Sequence, residues 1–269
     1  MRSRIEAEGR IRADREGLES LRKAISRAKE AIWKAGNTLP EVKRPETVEG
    51  LTRLVFISTP AIFEETREIR KAAAAILGKA FGVETGMLLH PGPWDCHVST
   101  TTGFFLPELY EDEFFGKLRR DGGKALFLAG GIGQEALEFL SLLKLEPENL
   151  LVRVSILEKD HRYALAARMR GLKLLFDRPA SLDEYWGPRA HPADLVFLSF
   201  PPSGLDFRRI AIQMDTALRK GGTAILVGNL DFADEAGAYL RNSGYLQLAN
   251  PLRDGMEIDG EHLQIYRKL

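Results

Sequence analysis

Four stretches of this chain carry residues whose types and spacing could do chemistry. The first is Ala129-Gly130-Gly131-Ile132-Gly133-Gln134, three glycines within four positions. An apolar run, Ala125 to Ala129, leads into it, and Leu137, Leu140 and Leu143 follow at helical spacing. The pattern predicts a buried strand, a tight glycine turn and a helix. Glycines let the backbone turn sharply and let a ligand approach with no Cβ in the way, while the first helical N–H groups point over the turn. Such a turn suits a small polar or anionic ligand, usually a nucleotide-like one. The second stretch is a pair of acids closing apolar runs: Glu158 after Leu151–Leu157, with Lys159 beside it, and Asp177 after Leu172–Phe176. A carboxylate at a strand end can accept from both hydroxyls of a ribose, and such charge-assisted hydrogen bonds are strong.

The third stretch is Ser199-Phe200-Pro201-Pro202-Ser203, after the apolar run that starts at Asp194. It reads as a loop in contact with substrate or as plain turn chemistry. The fourth runs from Met87 to Phe105 and holds His90, Asp95, Cys96, His97 and several hydroxyls. Asp95, Cys96 and His97 are contiguous and no second cluster has ligand spacing, so the stretch predicts no metal site. Adjacent side chains point apart in an extended chain, which argues against a Cys96–His97 nucleophilic pair. A substrate-facing loop or a structural linker remains. Asp95, His97 and Tyr110 are the candidates for a general base where an acceptor must lose a proton.

Elements that position these residues can be read along the 269-residue chain. Residues 1–35 place Ile5, Ile11, Leu18, Leu21, Ile25, Ile32 and Trp33 among arginines and glutamates, predicting one long amphipathic helix. It would pack on its own domain or a sister subunit, or contact RNA or a membrane through a modest excess of Arg and Lys. Leu51–Ile57 reads as a strand or a helix end, and Pro60 to Lys79 as a second helix. Residues 1–82 are thus expected to be a helical module, and 83–123 a connecting, substrate-facing segment with a helix over 106–120.

From 124 to 269 apolar runs alternate with helical patterns. Strands are expected at 125–129, 151–157, 172–176, 194–199 and 223–228, with helices over 134–144, 160–170, 206–219 and 232–242. An antiparallel pair is expected around 245–249 and 262–266. Near-continuous apolar strands mark a sheet covered on both faces. The expected fold is α/β: a doubly wound, Rossmann-like, mostly parallel sheet with a helical N-terminal module. Ligands of such sheets sit beyond the carboxyl ends of the strands at the switch point, which gathers Gly130 to Glu135, Glu158, Asp177 and Ser199 to Ser203.

Thirty-eight Lys and Arg balance thirty-eight Asp and Glu, which argues against wrapping nucleic acid over the whole surface but permits a local basic patch. One cysteine, Cys96, excludes an internal disulfide and suggests a reducing compartment. No apolar run reaches the roughly 18 residues that span a bilayer. The expectation is a cytoplasmic protein without membrane contact.

From Leu126–Gly133 through Ile156-Leu157-Glu158, Phe176-Asp177 and Asp194–Pro202 to Leu218-Arg219-Lys220-Gly221-Gly222, the order resembles the class I S-adenosylmethionine-dependent methyltransferase superfamily over roughly 110–269. The resemblance implies S-adenosyl-L-methionine as cofactor. Its glycine turn, here Ala129, Gly130, Gly131, Gly133 and Gln134, would lie against the methionine part. Glu158, beside Lys159, would hold the ribose hydroxyls, Asp177 would meet the adenine, and Ser199 is a further candidate for cofactor binding. Phe200, Pro201, Pro202 and Ser203 would meet the acceptor, although their order departs from the motif of base N-methyltransferases. Two further departures are Phe127, where the family often has an acid, and Ala129, in the place of the first turn glycine.

The expected function is a methyltransferase acting on a small molecule or another nucleophilic N/O acceptor, with the N-terminal module capping the site. The N-terminal layout also resembles nicotianamine-synthase-like enzymes, which implies aminocarboxypropyl or aminopropyl transfer as an alternative. An NAD(P)-dependent oxidoreductase is disfavoured by Glu135 where a pyrophosphate would sit, and a non-catalytic interaction module is the remaining reading. A small-molecule substrate, nucleic acid as a partner not excluded, and a homodimer through the N-terminal helix complete the expectations.

Overall fold

The computed structural model describes residues 2–57, 60–89, 113–182, 184, 192–199, 206–228, 230–247 and 262–269. The chain divides into two compact units, Met1–Ser99 with His161–Gly171, and Thr100–Asp160 with Leu172–Leu269.

The first unit holds helices α1 (Arg4–Ala13), α2 (Arg15–Lys34), α3 (Val48–Val55), α4 (Arg67–Phe81) and α7 (His161–Met169). Where the apolar spacing predicts one helix over 1–35, there are two. Asp14 takes non-helical angles (φ −81°, ψ 65°), and its Oδ1 accepts from the Gly17 N–H at 3.2 Å, capping α2. Aspartate competes for local backbone donors in this way, so it ends one helix and starts the next. Of Leu51–Ile57, the part to Val55 resolves as helix, because Thr47 Oγ1 accepts from the Gly50 N–H and caps α3. The helix expected from Pro60 begins only at Arg67, after a 3₁₀ turn over Pro60–Ile62. Arg170, just past α7, is 1% exposed, and its guanidinium forms a two-point ion pair with Glu49 at 2.5 and 2.8 Å.

The second unit is a seven-stranded sheet of β1 (Gly123–Leu128), β2 (Val152–Leu157), β3 (Lys173–Leu174), β4 (Ala193–Ser199), β5 (Leu218–Gly228), β6 (Tyr245–Gln247) and β7 (His262–Lys268). Their order is β3-β2-β1-β4-β5-β7-β6. β1 to β5 are parallel, and β7 lies antiparallel between β5 and β6. Helices α5 (Glu113–Asp121), α6 (Gln134–Leu142), α8 (Phe207–Ala217) and α9 (Leu230–Asn242) complete the unit. Ala125–Leu128, Leu195–Leu198 and Ala224–Val227 are buried throughout, as strands covered on both faces must be.

β3 is shorter than its apolar run, and β5 starts earlier than expected. Leu218 already pairs with Ala193, and the ladder resumes at Leu195 with Thr223. The residues between bulge out at Gly221, whose φ of +75° suits glycine. Beneath that bulge Asp194, 5% exposed, accepts from the Lys124 N–H at 2.8 Å and pairs with Arg219, fastening β1, β4 and β5 at their amino ends. Among the described residues no helix is long and apolar enough to cross a membrane.

Removing one partner of a buried ion pair strands the other charge. Glu49→Ala is therefore expected to lower stability by about 2–3 kcal/mol, toward the low end because Glu49 is partly exposed. Denaturant unfolding checks this; a loss below about 0.5 kcal/mol, the range of ordinary surface changes, would contradict it.

Candidate functional site

The sheet register decides which residues meet. Leu128 pairs with Leu157 on one side and with Leu198 on the other, so Ala129, Glu158 and Ser199 stand at one level. After β1 the chain moves outward to β2 and β3, then returns to β4 on the opposite side of β1. The crevice of a doubly wound sheet opens at that reversal, beyond the tips of β1 and β4.

The turn above β1 is held by backbone hydrogen bonds. The Gly130 N–H donates to the Leu157 carbonyl at 3.2 Å, and the Gly133 N–H to the Gly130 carbonyl at 2.7 Å. Three of its residues have positive φ: Ala129 at +49°, Gly131 at +51° and Gly133 at +78°. Gly130 is required for a different reason, since a Cβ there would lie 2.5 Å from Ile156 Cγ2. At Gly131 a Cβ would meet nothing within 4 Å among the described residues, so they leave that side of the turn open.

Glu158 is fastened to this turn. Its Oε2 accepts from the Gly131 N–H at 2.9 Å, and its Oε1 from the Asp160 N–H at 2.8 Å. Its own carbonyl accepts from the Ala180 N–H at 2.8 Å. The side chain is 8% exposed, and burial raises the Glu158 carboxyl above the ordinary glutamate range. The N–H groups of Asp160, Gly131 and Lys159 oppose that rise, and the nearby Asp160 charge adds to it. The Asp160 N–H thus serves the acid; a backbone N–H two residues from a carboxylate leaves no mark in the sequence pattern.

Of the other candidates, Gln134 is buried at the start of α6 and donates to Glu138 Oε1 at 2.7 Å. Glu135 stands in the first turn of α6. Lys159 is exposed. Asp177 is exposed too, at φ +57°, in a turn where its N–H donates to the Leu174 carbonyl. Aspartate tolerates that left-handed conformation better than most residues. Ser199 ends β4. Phe127 is 2% exposed and lies in an aromatic layer, 5.2 Å from the Phe197 ring and 5.7 Å from Phe139 of α6. Asp95, His97, Tyr110, Phe200, Pro201, Pro202 and Ser203 fall outside the described residues.

The order found in dinucleotide-binding sheets is 3-2-1-4-5-6, all parallel. Here an antiparallel β7 is inserted between β5 and β6. The fold is thus Rossmann-like, a mostly parallel sheet with one antiparallel strand inserted near its edge.

No family model matches the chain, and no curated protein is similar to it. Among solved structures, the chain is similar to an S-adenosylmethionine-dependent methyltransferase from Mesorhizobium loti (12% identity, TM-score 0.46, 63% of this chain and 99% of that one). It is similar also to a precorrin-6y C5,15-methyltransferase from Geobacter metallireducens (20% identity, TM-score 0.42, 58% and 85%). A third is a geranyl diphosphate methyltransferase in complex with GPP and sinefungin (13% identity, TM-score 0.43, 62% and 77%). With TM-scores below 0.5, these likenesses carry no functional argument.

The turn geometry predicts opposite outcomes at neighbouring positions. Ala129→Gly relieves a left-handed alanine and is expected to raise stability by about 0.5–1 kcal/mol. Gly130→Ala is expected to lower it by about 1–3 kcal/mol, with part of the loss recovered on an Ile156→Ala background. Denaturant midpoints of the variants check both; a destabilising Ala129→Gly would contradict the turn geometry.

Proposed function

We propose that this chain is an S-adenosyl-L-methionine-dependent methyltransferase, with the adenosyl ribose held by Glu158. The observation that carries the reading is the Glu158 carboxylate, fastened at the end of β2 to the glycine turn after β1. A carboxylate offers about four lone-pair sites; the Gly131 and Asp160 N–H groups occupy two of them, and the Lys159 N–H contributes least of the three. Two ribose hydroxyls can therefore donate without breaking the turn. The open side of Gly131 supports an approaching ligand, and Glu135 favours one that carries a positive charge and no phosphate. Phe127 offers nothing to the ligand's amino group, because its ring is part of the core, so Ala129 to Gln134 have to provide that hold.

When bound, S-adenosylmethionine supplies a methyl group on a sulfonium, a good leaving group. The protein's part is to align the acceptor and exclude water. In this reading Asp177 meets the adenine, Ser199 borders the crevice, and Phe200 to Ser203 approach the acceptor. Asp95, His97 and Tyr110 are the groups that would take a proton from it. The acceptor is proposed to be a small molecule or another nucleophilic nitrogen or oxygen. Incubation with S-adenosylmethionine and candidate acceptors tests the reaction. S-adenosylhomocysteine is the expected product; methylthioadenosine, which marks transfer of the aminocarboxypropyl arm, or the absence of both products would contradict methyl transfer.

The raised Glu158 carboxyl fixes a pH dependence. Hydroxyl donors favour the ionised form, so S-adenosylhomocysteine should bind fully above the raised value and lose affinity as pH falls through it. That fall begins above the ordinary glutamate range of about 4.3. Calorimetry between about pH 8 and pH 5 reads it. Glu158→Gln should flatten the profile and weaken binding about 10–100-fold, the worth of hydrogen bonds to a charged group. An unchanged profile in the variant would contradict the role of Glu158.

A further inference from the structure

The first unit carries a surface that the transferase reading leaves unused. On α2, Arg15, Arg22 and Lys29 recur every seven residues, and Trp33 follows Lys29 by four. At 3.6 residues per turn these positions fall within a narrow line along one edge of the helix. All four are exposed, and the Trp33 indole is 78% exposed. Arg22 approaches Glu19 at 3.9 Å, whereas among the described residues neither Arg15 nor Lys29 has an acidic partner. A solvated helix face usually mixes its charges, as the Glu19–Lys23 and Glu30–Lys34 pairs do on the neighbouring line. This edge is basic along about 21 Å, from Arg15 to Lys29, and it ends in a bare aromatic ring.

We propose that this edge of α2 docks a single-stranded polynucleotide, with phosphates against Arg15, Arg22 and Lys29 and a base stacked on Trp33. Charge complementarity favours a polyanion, and an exposed indole beside cations is the combination that single-strand binders use. A lipid surface fits less well. The apolar face of α2 is already covered, with Leu21, Ala28 and Ile32 buried, so Trp33 alone could enter a bilayer. The chain's net charge of zero adds no overall attraction for a polyanion. The proposal is independent of the ligand held near Glu158.

The test is fluorescence anisotropy of the full chain with labelled twelve-nucleotide single strands, one of RNA and one of DNA, across a range of salt. Binding that weakens with a log–log salt slope of about 2 is expected for three phosphate contacts on a single strand. Reversing the edge (Arg15→Glu, Arg22→Glu, Lys29→Glu) should reduce affinity more than tenfold, and Trp33→Ala about five- to fiftyfold. The control Lys23→Glu with Lys34→Glu, off the line, should stay within a factor of about two per site, as for ordinary surface charges. Circular dichroism confirms that each variant is folded. A difference between the RNA and DNA arms identifies the source of the strand. Absence of binding at low salt, equal losses in edge and control variants, or capture of the edge by anionic vesicles or by a second copy of the chain would each overturn the proposal.

Discussion

The candidate site depends on one arrangement, a buried carboxylate at the end of β2 that accepts the Gly131 N–H of the adjacent turn. Burial disfavours the charge, and the N–H groups of Gly131, Asp160 and Lys159 answer it. Glu158 is therefore a part of the turn as well as the end of β2. The parallel register makes this possible, because Leu128 beside Leu157 sets the last residues of β1 and β2 level. A slip of one residue would turn every side chain of the strand to the opposite face.

Around that arrangement the turn is shaped by close packing. Gly130 passes within a methyl's reach of Ile156, so the backbone lies down on β2. Ala129 accepts a left-handed φ to let it do so. Phe127 packs against Phe139 and Phe197, which holds the body of α6 against β1 and β4. Phe127 thus serves packing, and strain at Ala129 is held by the surrounding structure, as strained backbone usually is.

Much of this was legible in the sequence where a single local pattern decides. Continuous apolar runs located β1, β2, β4 and the body of β5, since strands buried on both faces leave no alternation to confuse with loops. The glycine turn and Glu158 were legible because turn chemistry and strand ends are local. What was not legible depended on competition or on distant partners. Asp14 breaks the N-terminal helix by capping the next one, although the apolar period runs straight through it. The shift at Ala193 and Leu195, which brings Leu218 into β5, and the insertion of β7 between β5 and β6 are settled by pairing across the sheet. The grouping of α7 with α1 to α4 likewise rests on contacts such as Arg170 with Glu49, far apart in sequence.

The central claim is that Glu158 holds the hydroxyls of a ribose. Calorimetry of the unmodified protein with S-adenosylhomocysteine and with its 2′,3′-dideoxy analogue tests it from the side of the ligand. The account predicts that the analogue binds at least about tenfold more weakly, because the missing hydroxyls leave a buried carboxylate with no donors in their place. Equal affinity for the two ligands, or binding of NADH in preference to both, would contradict it.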